Sequence, residues 1–309
     1  MFDNMPHANH RPGALQQHPN FVAALRACGQ APLVLPMPYP TVILRRKLGG
    51  RLPVAMLSRP DLRVLPPEPD ALRDWLLGAG LGRAPILLSP DSPCADRLDT
   101  LGAVPLMTPN SVAEIDLTIP EDQRRARLHQ KWRNRLTRVE TQNRLRVTEC
   151  IRGPAASHWL FAADRALQRR RGYRNWPEAL TLAYGRENPN QTVLFTAYDG
   201  RDPVAAMLFL RHGDAVTYHI GHSTAAGRTL SAHTLLLWHA ACWCAAQGHR
   251  RLDLGLIDTQ HAAGLARFKL GAGAVTRPLG GTWLWWPPLG KTLRCLAALD
   301  RRSMRGQPI

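Results

Sequence analysis

One stretch, residues 192–247, constrains the fold of this chain more than any other part of the sequence. It contains three runs typical of β-strands, TVLFTAY, PVAAMLFLRH and AVTYHIG, which are separated by the turn pairs Asp199-Gly200 and Gly213-Asp214. These runs predict three antiparallel strands joined in order. The segment that follows, SAHTLLLWHAACWCAAQ, is apolar on all sides and ends at Gly248, a pattern typical of a buried helix.

The segments around this stretch extend it into a longer order of elements. Upstream, LRVTECI predicts a strand, and two helical runs follow it, AASHWLFAADRALQRRRG and PEALTLAYGRE. Downstream, RRLDLGLID predicts a strand, AAGLARFKL a short helix and AVTRPLGGTWLWW a further strand. The order β-α-α-β-β-β-α-β-α-β resembles that of the GNAT acyltransferase fold.

The N-terminal half shows the same order more faintly. A helix near HPNFVAALRAC precedes several strand-like runs and a second helix near EPDALRDWLLG, although no residue-level repeat is visible. We therefore predict an α/β chain of two tandem GNAT-like domains, each with a mixed, mostly antiparallel sheet flanked by helices. The predicted boundaries are residues 15–145 for a degenerate N-terminal domain, 146–286 for the C-terminal GNAT domain and 287–309 for a tail.

The composition bounds the class of protein. With 309 residues, 45% of them apolar, the chain is long enough for two folded domains. No stretch resembles a signal peptide or reaches the apolar length of a membrane span, so we expect a cytoplasmic protein. The six cysteines follow neither a disulfide nor a zinc pattern, and we expect reduced thiols. The net charge of +17 indicates anionic partners.

Much of that charge lies between the two halves, in the segment EDQRRARLHQKWRNRLTRVETQNR. Its spacing predicts one helix over residues 121–142 with an apolar stripe through Leu128, Trp132 and Leu136. Beside the apolar stripe runs a basic stripe, made of Arg124, Arg127, Lys131, Arg135 and Arg138. The basic stripe predicts binding of a tRNA or an anionic membrane surface. A solvated face that pairs with acidic neighbours is the alternative.

Two segments, RLHQKWRNRLTRVETQNRLRV and RRLDLGLIDTQHAAGLARFKLGAGA, resemble the FemAB-like acyltransferases, a branch of the GNAT superfamily with two GNAT domains in tandem. The matching features are the basic helix, a strand bearing Asp253 and Gly255, and the aromatic-lysine pair Phe268-Lys269 followed by glycines. The resemblance runs from about Arg124 to Gly273. It implies transfer of an acyl group, taken either from aminoacyl-tRNA, as in FemAB-type ligases that modify a cell-wall precursor, or from an acyl-coenzyme A.

The resemblance also implies a donor site between the third strand and the buried helix, where the sequence is GHSTAAGRTLSAH. The usual Arg/Gln-x-x-Gly-x-Gly/Ala loop for coenzyme A is only partly matched there. The candidate residues for holding its phosphate groups are Gly227, Arg228, Thr229 and Ser231. The free N–H groups and the dipole at a helix N-terminus favour an anion. An ordinary loop with a capping hydroxyl is the alternative.

Two charged residues near the last strands are candidate catalytic residues. Asp253 alternates with Leu252 and Leu254, so its carboxylate faces away from the leucine side of the strand. A buried carboxylate needs a partner, and Lys269 or a nearby arginine could supply it. The two residues either line the acceptor pocket, which we favour, or form a structural ion pair.

Histidines near two strand ends are the candidate proton acceptors. His219 lies at the end of the third strand, and His261 follows the strand that carries Asp253. Histidine titrates near neutral pH and can take the proton of an attacking amine. A half-buried or surface side chain is the alternative for each. The spacing His219-x-x-His222 has no accompanying carboxylate or cysteine ligands, so we predict no metal site.

Together these features predict a GNAT-type enzyme that moves an acyl group, most simply acetyl, from acyl-coenzyme A to an amine or hydroxyl by direct attack. No cysteine or serine lies in a recognisable nucleophile motif. The acceptor would be a small molecule or a cell-envelope precursor. Two alternatives stay open: an aminoacyl-tRNA-dependent transferase of the FemAB type, and a non-catalytic module that binds nucleic acid through the basic helix.

Overall fold

The computed structural model describes residues 13–35, 40–48, 50–65, 68, 70–289 and 292, apart from the side chain of Leu48. The strands in this part of the chain are β1 (Leu33–Leu35), β2 (Thr41–Leu48), β3 (Leu52–Ser58), β4 (Ile86–Ser89), β5 (Val104–Met107), β6 (Ser111–Asp116), β7 (Leu145–Cys150), β8 (Thr192–Asp199), β9 (Asp202–His212), β10 (Ala215–Ser223), β11 (Arg251–Ile257), β12 (Val275–Pro278) and β13 (Thr282–Trp285). The helices are α1 (Pro19–Ala27), α2 (Ala71–Gly78), α3 (Ala95–Leu101), α4 (Glu121–Ala126), α5 (Gln130–Gln142), α6 (Trp159–Arg171), α7 (Glu178–Glu187), α8 (Ala225–Thr229), α9 (Ala232–Ala246) and α10 (Ala263–Gly271).

The strands form two mixed sheets, which confirms the predicted α/β class. The six-stranded sheet has the order β1-β2-β3-β4-β13-β5, and the seven-stranded sheet has the order β12-β6-β11-β10-β9-β8-β7. The predicted meander is the middle of the larger sheet, where β8, β9 and β10 pair antiparallel. Within the described residues, no helix is both long and apolar enough to cross a membrane.

The two sheets exchange strands across the predicted boundary at residue 145. β6 precedes that boundary but pairs with β11 and β12 in the seven-stranded sheet. The run AVTRPLGGTWLWW, predicted as one strand, is two strands in different sheets, because the backbone turns at Gly281 with a φ of +78°. The domain boundaries stay a prediction, and most of the predicted tail 287–309 lies outside the described residues.

The seven-stranded sheet is covered on both faces, which explains why its central strands are apolar throughout. α5 and α9 pack on one face, around a core that includes Leu136, Phe195 and Leu236. α6 packs on the other face near β10, with Phe161 and Leu208 buried between them. Eight of the fifteen residues of α9 are buried, whereas His239 is exposed, so the helix is less enclosed than its apolar sequence predicts.

The basic segment is broken into two helices rather than the single helix predicted over 121–142. α4 ends before Arg127, and His129 caps α5 by accepting a hydrogen bond from the N–H of Lys131. Arg124 was wrongly assigned to the exposed basic stripe, because it is buried and donates to the backbone oxygens of Leu117 and Ile119. The other four members of the stripe are exposed, namely Arg127, Lys131, Arg135 and Arg138.

The seven-stranded sheet opens between β10 and β11. The two strands run parallel and pair only from Ala215 opposite Arg251 to Thr217 opposite Asp253. Beyond this point the pairing of each strand with its other neighbour shifts register, at His219 in β10 and between Asp253 and Leu256 in β11. Gly255 supplies the positive φ of +78° that the irregularity in β11 requires. The result is a fork whose last paired residues are Thr217 and Asp253.

Candidate functional site

Asp253 lies at the fork and forms an ion pair with Arg59 of the other sheet. The carboxylate Oδ2 accepts from Arg59 Nη1 at 2.7 Å, and Oδ1 accepts from the N–H of Gly255 at 2.7 Å. Burial raises the pKa of Asp253, but attraction and hydrogen bonding from Arg59, with the Gly255 N–H, outweigh it and leave the pKa below its ordinary value. Asp253 is therefore ionised in the folded chain.

Arg59 belongs to a buried network that joins the two sheets, which we call the inter-sheet ion cluster. Its members are Arg59, Asp91, Glu114, Arg251, Asp253 and Arg277. Arg59 Nε also donates to Asp91 at 2.7 Å, and Arg277 Nη2 reaches both Asp91 and Glu114. The cluster balances three guanidinium groups against three carboxylates. Sequence reasoning named only Asp253 and missed the other five members, Arg59, Asp91, Glu114, Arg251 and Arg277.

Lys269 lies on α10 beside the strand that leaves the fork. Its Nζ donates to the backbone oxygen of Leu256 at 2.7 Å, and a Cβ added to Gly255 would lie 3.8 Å from it. Lys269 is buried, and burial lowers its pKa to about 8, with Asp253 partly offsetting the effect. The two predicted partners are close enough to attract each other, yet the ion pair of Asp253 is with Arg59.

His219 occupies the irregular position of β10, just past the fork. Its Nε2 shares a hydrogen bond of 2.8 Å with Thr181 Oγ1, and its ring centroid is 4.9 Å from that of Trp176. Burial of the ring lowers the pKa to about 3, so the imidazole is neutral at physiological pH. A group with this pKa accepts a hydrogen bond readily but holds a proton weakly.

His261 lies apart from the fork, in the exposed connection between β11 and α10. Its Nδ1 is 3.2 Å from Asp258 Oδ2, and Asp258 Oδ1 accepts from the N–H groups of Gln260 and His261. Within the described residues, no hydrogen bond or ion pair connects it to His219, Asp253 or Lys269. The structure therefore gathers three of the four predicted catalytic residues around the fork and leaves His261 outside that group.

The predicted donor loop is built around the short helix α8, which Thr224 caps. Gly227 donates its N–H to Thr224 Oγ1 at 3.1 Å, and its α-carbon lies against β9, where a Cβ would come within 2.2 Å of the Val204 oxygen. Arg228 Nη1 donates to the Ser223 oxygen at 2.8 Å, and Thr229 Oγ1 donates to the Ala225 oxygen. In each of these three predicted donor-binding residues, a polar group is thus hydrogen-bonded to another residue of the same loop.

Ser231 separates α8 from α9. It adopts a left-handed backbone conformation with a φ of +55°, and its N–H bonds to the Arg228 oxygen at 3.1 Å. Its side chain makes no capping hydrogen bond with α9. The roles of these four donor-loop residues stay predictions. As for metals, the part of the chain that the structure describes contains no group of three or more His, Cys, Asp or Glu side chains able to hold an ion.

The residues that build the fork and the buried helix beside it match a known protein family. The family model of the acetyltransferase (GNAT) domain matches residues 124–273. Residues 124–273 therefore form a GNAT domain. This match confirms the predicted resemblance to the GNAT superfamily, and it spans the same segment that the sequence features pick out. The GNAT domain contains the fork, Lys269 and the donor loop.

Solved structures similar to this chain show the same fold over nearly its whole length. The crystal structure of FemX has a TM-score of 0.72 at 13% identity, and the match covers 92% of this chain and 96% of FemX. The structure of L-PGS from Bacillus licheniformis has a TM-score of 0.52 at 14% identity, covering 95% and 99% of the two chains. At such identities the likeness concerns the fold alone. The comparison with curated proteins gives no match.

Proposed function

We propose that the chain transfers an acyl group from an activated donor to an amine or hydroxyl at the fork between β10 and β11. The observation that carries the proposal is Lys269, a buried ammonium group held by the Leu256 oxygen where β11 leaves β10. A cation fixed in a water-poor site can stabilise the oxyanion that forms when a nucleophile attacks an acyl carbonyl.

The reaction needs no covalent enzyme intermediate. The acceptor nitrogen or oxygen forms a bond to the acyl carbon, the bond from that carbon to the donor breaks, and the donor leaves as a thiol or a hydroxyl. His219, neutral in the folded chain, is our proposed proton acceptor, and its low pKa means that it would pass the proton on rather than keep it. Asp253 acts as a positioning residue, since it fixes the Gly255 N–H beside Lys269.

Acyl-coenzyme A is our first candidate for the donor. The family model that matches this segment is that of an acetyltransferase domain. At the start of α8, Thr224 Oγ1 accepts a hydrogen bond from the N–H of Gly227. The N–H groups of Ala225 and Ala226 lie in the first turn, where a helix offers no backbone acceptor for them. These two groups, with Arg228 one turn later, can meet a pyrophosphate.

Aminoacyl-tRNA is the second candidate, and two observations favour it. The Gly227 N–H and one Arg228 nitrogen are already bonded inside the loop, which leaves fewer groups for a pyrophosphate. In addition, four cations of the basic stripe face solvent, and the fold matches FemX along nearly its whole length. With either donor, we propose a small molecule or a cell-envelope precursor as acceptor, and the cytoplasm as the place of the reaction.

The experiment compares donors and Lys269 variants. Purified chain is mixed with acetyl-coenzyme A or with aminoacyl-tRNA, and both thermal stabilisation and release of free thiol or deacylated tRNA are measured with a panel of amine acceptors. Lys269→Met should lower turnover about 100-fold or more, as loss of one oxyanion donor does in other enzymes. Lys269→Arg should retain part of the activity, and the exposed control Lys47→Met should match the parent.

The outcomes separate the alternatives. Thiol release identifies acyl-coenzyme A, and deacylated tRNA identifies the second candidate. Binding of tRNA with neither product, in every acceptor tested, would support the non-catalytic nucleic-acid module instead. Full turnover in Lys269→Met would remove Lys269 from the reaction.

A further inference from the structure

A cavity lies on the α7 side of the seven-stranded sheet, and one of its lining residues, Thr181, bonds His219. It has a volume of about 330 Å³ and lies between the loop 152–156, the middle of α7 and the start of β8. This volume is at the lower end of the range in which proteins hold small organic ligands. Neither the predicted donor loop nor Lys269 lines it.

The buried wall of the cavity contains a hydroxyl group without a partner. Thr192 is only 2% exposed, and its Oγ1 has no hydrogen-bond partner among the residues that the structure describes. Two glycines flank this oxygen: a Cβ on Gly153 would lie 2.5 Å from it, and one on Gly185 would lie 3.4 Å from it. A buried hydroxyl without a hydrogen bond is destabilising. The oxygen is enclosed by the wall, so a ligand atom would satisfy it once the hydroxyl turns toward the cavity.

Gly185 carries a cost of its own, because it lies inside α7, where glycine is a poor helix former. Alanine would suit the helix better, but its methyl group would narrow the cavity beside Thr192. The wall of the cavity therefore contains two locally unfavourable features, the unpaired Thr192 hydroxyl and a glycine inside a helix. Features of this kind are expected where a protein keeps a site open.

The charges around the cavity are positive. Arg152 and Arg186 line it, and no Asp or Glu does. Arg186 shares its charge with Glu187, its exposed neighbour, so Arg152 is the stronger cation of the two. Thr181, whose hydroxyl bonds His219, is a second polar lining residue, while Leu182 and Leu208 provide an apolar wall.

We propose that this cavity binds a small organic anion, a phosphate or carboxylate group on a short apolar body. The anion would accept from the Thr192 hydroxyl between the two glycines and pair with Arg152, and the apolar body would lie against Leu182 and Leu208. The site does not depend on the acyl-transfer proposal, since its binding is measured without a donor or an acceptor.

The test is calorimetric titration of the purified chain with four probes: n-butyl phosphate, inorganic phosphate, butyrate and n-butanol. We expect n-butyl phosphate or butyrate to bind, and the stronger of the two identifies the anion. Thr192→Val and Arg152→Gln should each weaken that binding about tenfold or more, because each removes a hydrogen bond to a charged group. Arg169→Gln, an exposed arginine on α6, is the control and should bind like the parent.

Gly185→Ala gives a second, independent readout. Its methyl group should abolish binding while the melting temperature rises, and Thr192→Val should melt at or above the parent temperature because it removes an unsatisfied hydroxyl. The proposal is overturned if no anion binds, if n-butanol binds as well as n-butyl phosphate, or if the Thr192 and Arg152 variants bind like the parent. A lower melting temperature for Gly185→Ala would show that the glycine is structural.

Discussion

The inter-sheet ion cluster and the surroundings of Lys269 both lie beside Asp253, but they differ in how the buried cation is compensated. In the inter-sheet ion cluster, Arg59 makes two ion pairs, with Asp91 and Asp253, both at 2.7 Å. Burial lowers the pKa of Arg59, but these carboxylates outweigh it and raise the pKa above its ordinary value. Lys269, by contrast, bonds only the neutral Leu256 oxygen among the described residues, and its pKa falls to about 8.

The difference separates charges that hold the structure together from a charge that is free to interact with a substrate. The guanidinium groups of the cluster are committed to carboxylates, so removing a partner leaves a buried charge uncompensated. The ammonium of Lys269 lacks such a partner within the described residues and gains from any negative charge that forms beside it. This contrast makes Lys269, rather than Asp253, the residue we expect to act directly on the acyl group.

The largest expected effect is the loss of one member of the cluster. Asp253→Asn leaves the guanidinium of Arg59 with a single carboxylate partner in a buried setting, and we expect it to lower the free energy of unfolding by about 3 to 5 kcal/mol. Urea denaturation at pH 7 measures the change. The matched control is Asp199→Asn, which breaks an exposed ion pair with Arg144 and should change little.

If Asp253→Asn and Asp199→Asn have equal free energies of unfolding, the buried cluster stabilises the fold no more than an exposed ion pair does. If Asp253→Asn instead keeps its stability and loses turnover, Asp253 contributes to the reaction itself, as the sequence suggested, and the cluster is a weaker link between the sheets than its geometry indicates.

Much of the fold could be predicted because its signals are local. Alternating strands and turn pairs indicate β8 to β10, and the uniformly apolar run indicates α9. Strand partnership across the chain is not local. Nothing in the segment SVAEID distinguishes a strand of the first sheet from β6 of the second, and the glycines that divide β12 from β13 also fit an ordinary strand irregularity.

The candidate site was predictable only in part, for the same reason. The strand alternation around Asp253 indicated a buried carboxylate that needs a cation, but its partner Arg59 lies 194 residues away, in a segment with no motif. Glu114 offered one usable signal, a carboxylate between the apolar residues Ala113 and Ile115 of β6. The hydrogen bond between Thr181 and His219 depends on where α7 lies relative to β10, which local patterns do not specify.

A smaller effect is expected at Lys269, in the pH dependence of the free energy of unfolding. The folded-state pKa of Lys269 is about 8 and the unfolded value is about 10.4, so the unfolded chain binds more protons between these values. Above pH 10.4, Lys269 does not lower the free energy of unfolding. As the pH falls to 8, the buried charge lowers that free energy by up to about 3 kcal/mol. Lys269→Met should therefore gain stability relative to the parent at pH 7 and lose that advantage near pH 10.

The measurement is urea denaturation of parent and variant at both pH values, with the exposed Lys47→Met as control. A difference between parent and Lys269→Met that is the same at pH 7 and pH 10 would mean that the ammonium is better compensated than its contacts indicate.

The smallest expected effect concerns cations that neither region buries. Arg127 and Arg135 are exposed on the basic segment, whereas their neighbour Arg124 is committed to the Leu117 and Ile119 oxygens. Charge reversal of both, Arg127→Glu with Arg135→Glu, should weaken tRNA or anionic-vesicle binding about tenfold at low salt and flatten its salt dependence, since fewer counterions are released. Charge reversal of two exposed arginines elsewhere, Arg169→Glu with Arg201→Glu, is the control for net charge. Equal losses in the control and in the variant of Arg127 and Arg135 would assign the attraction to the overall charge of +17 rather than to this surface. Unchanged binding in both would leave the exposed stripe as a solvated helix face.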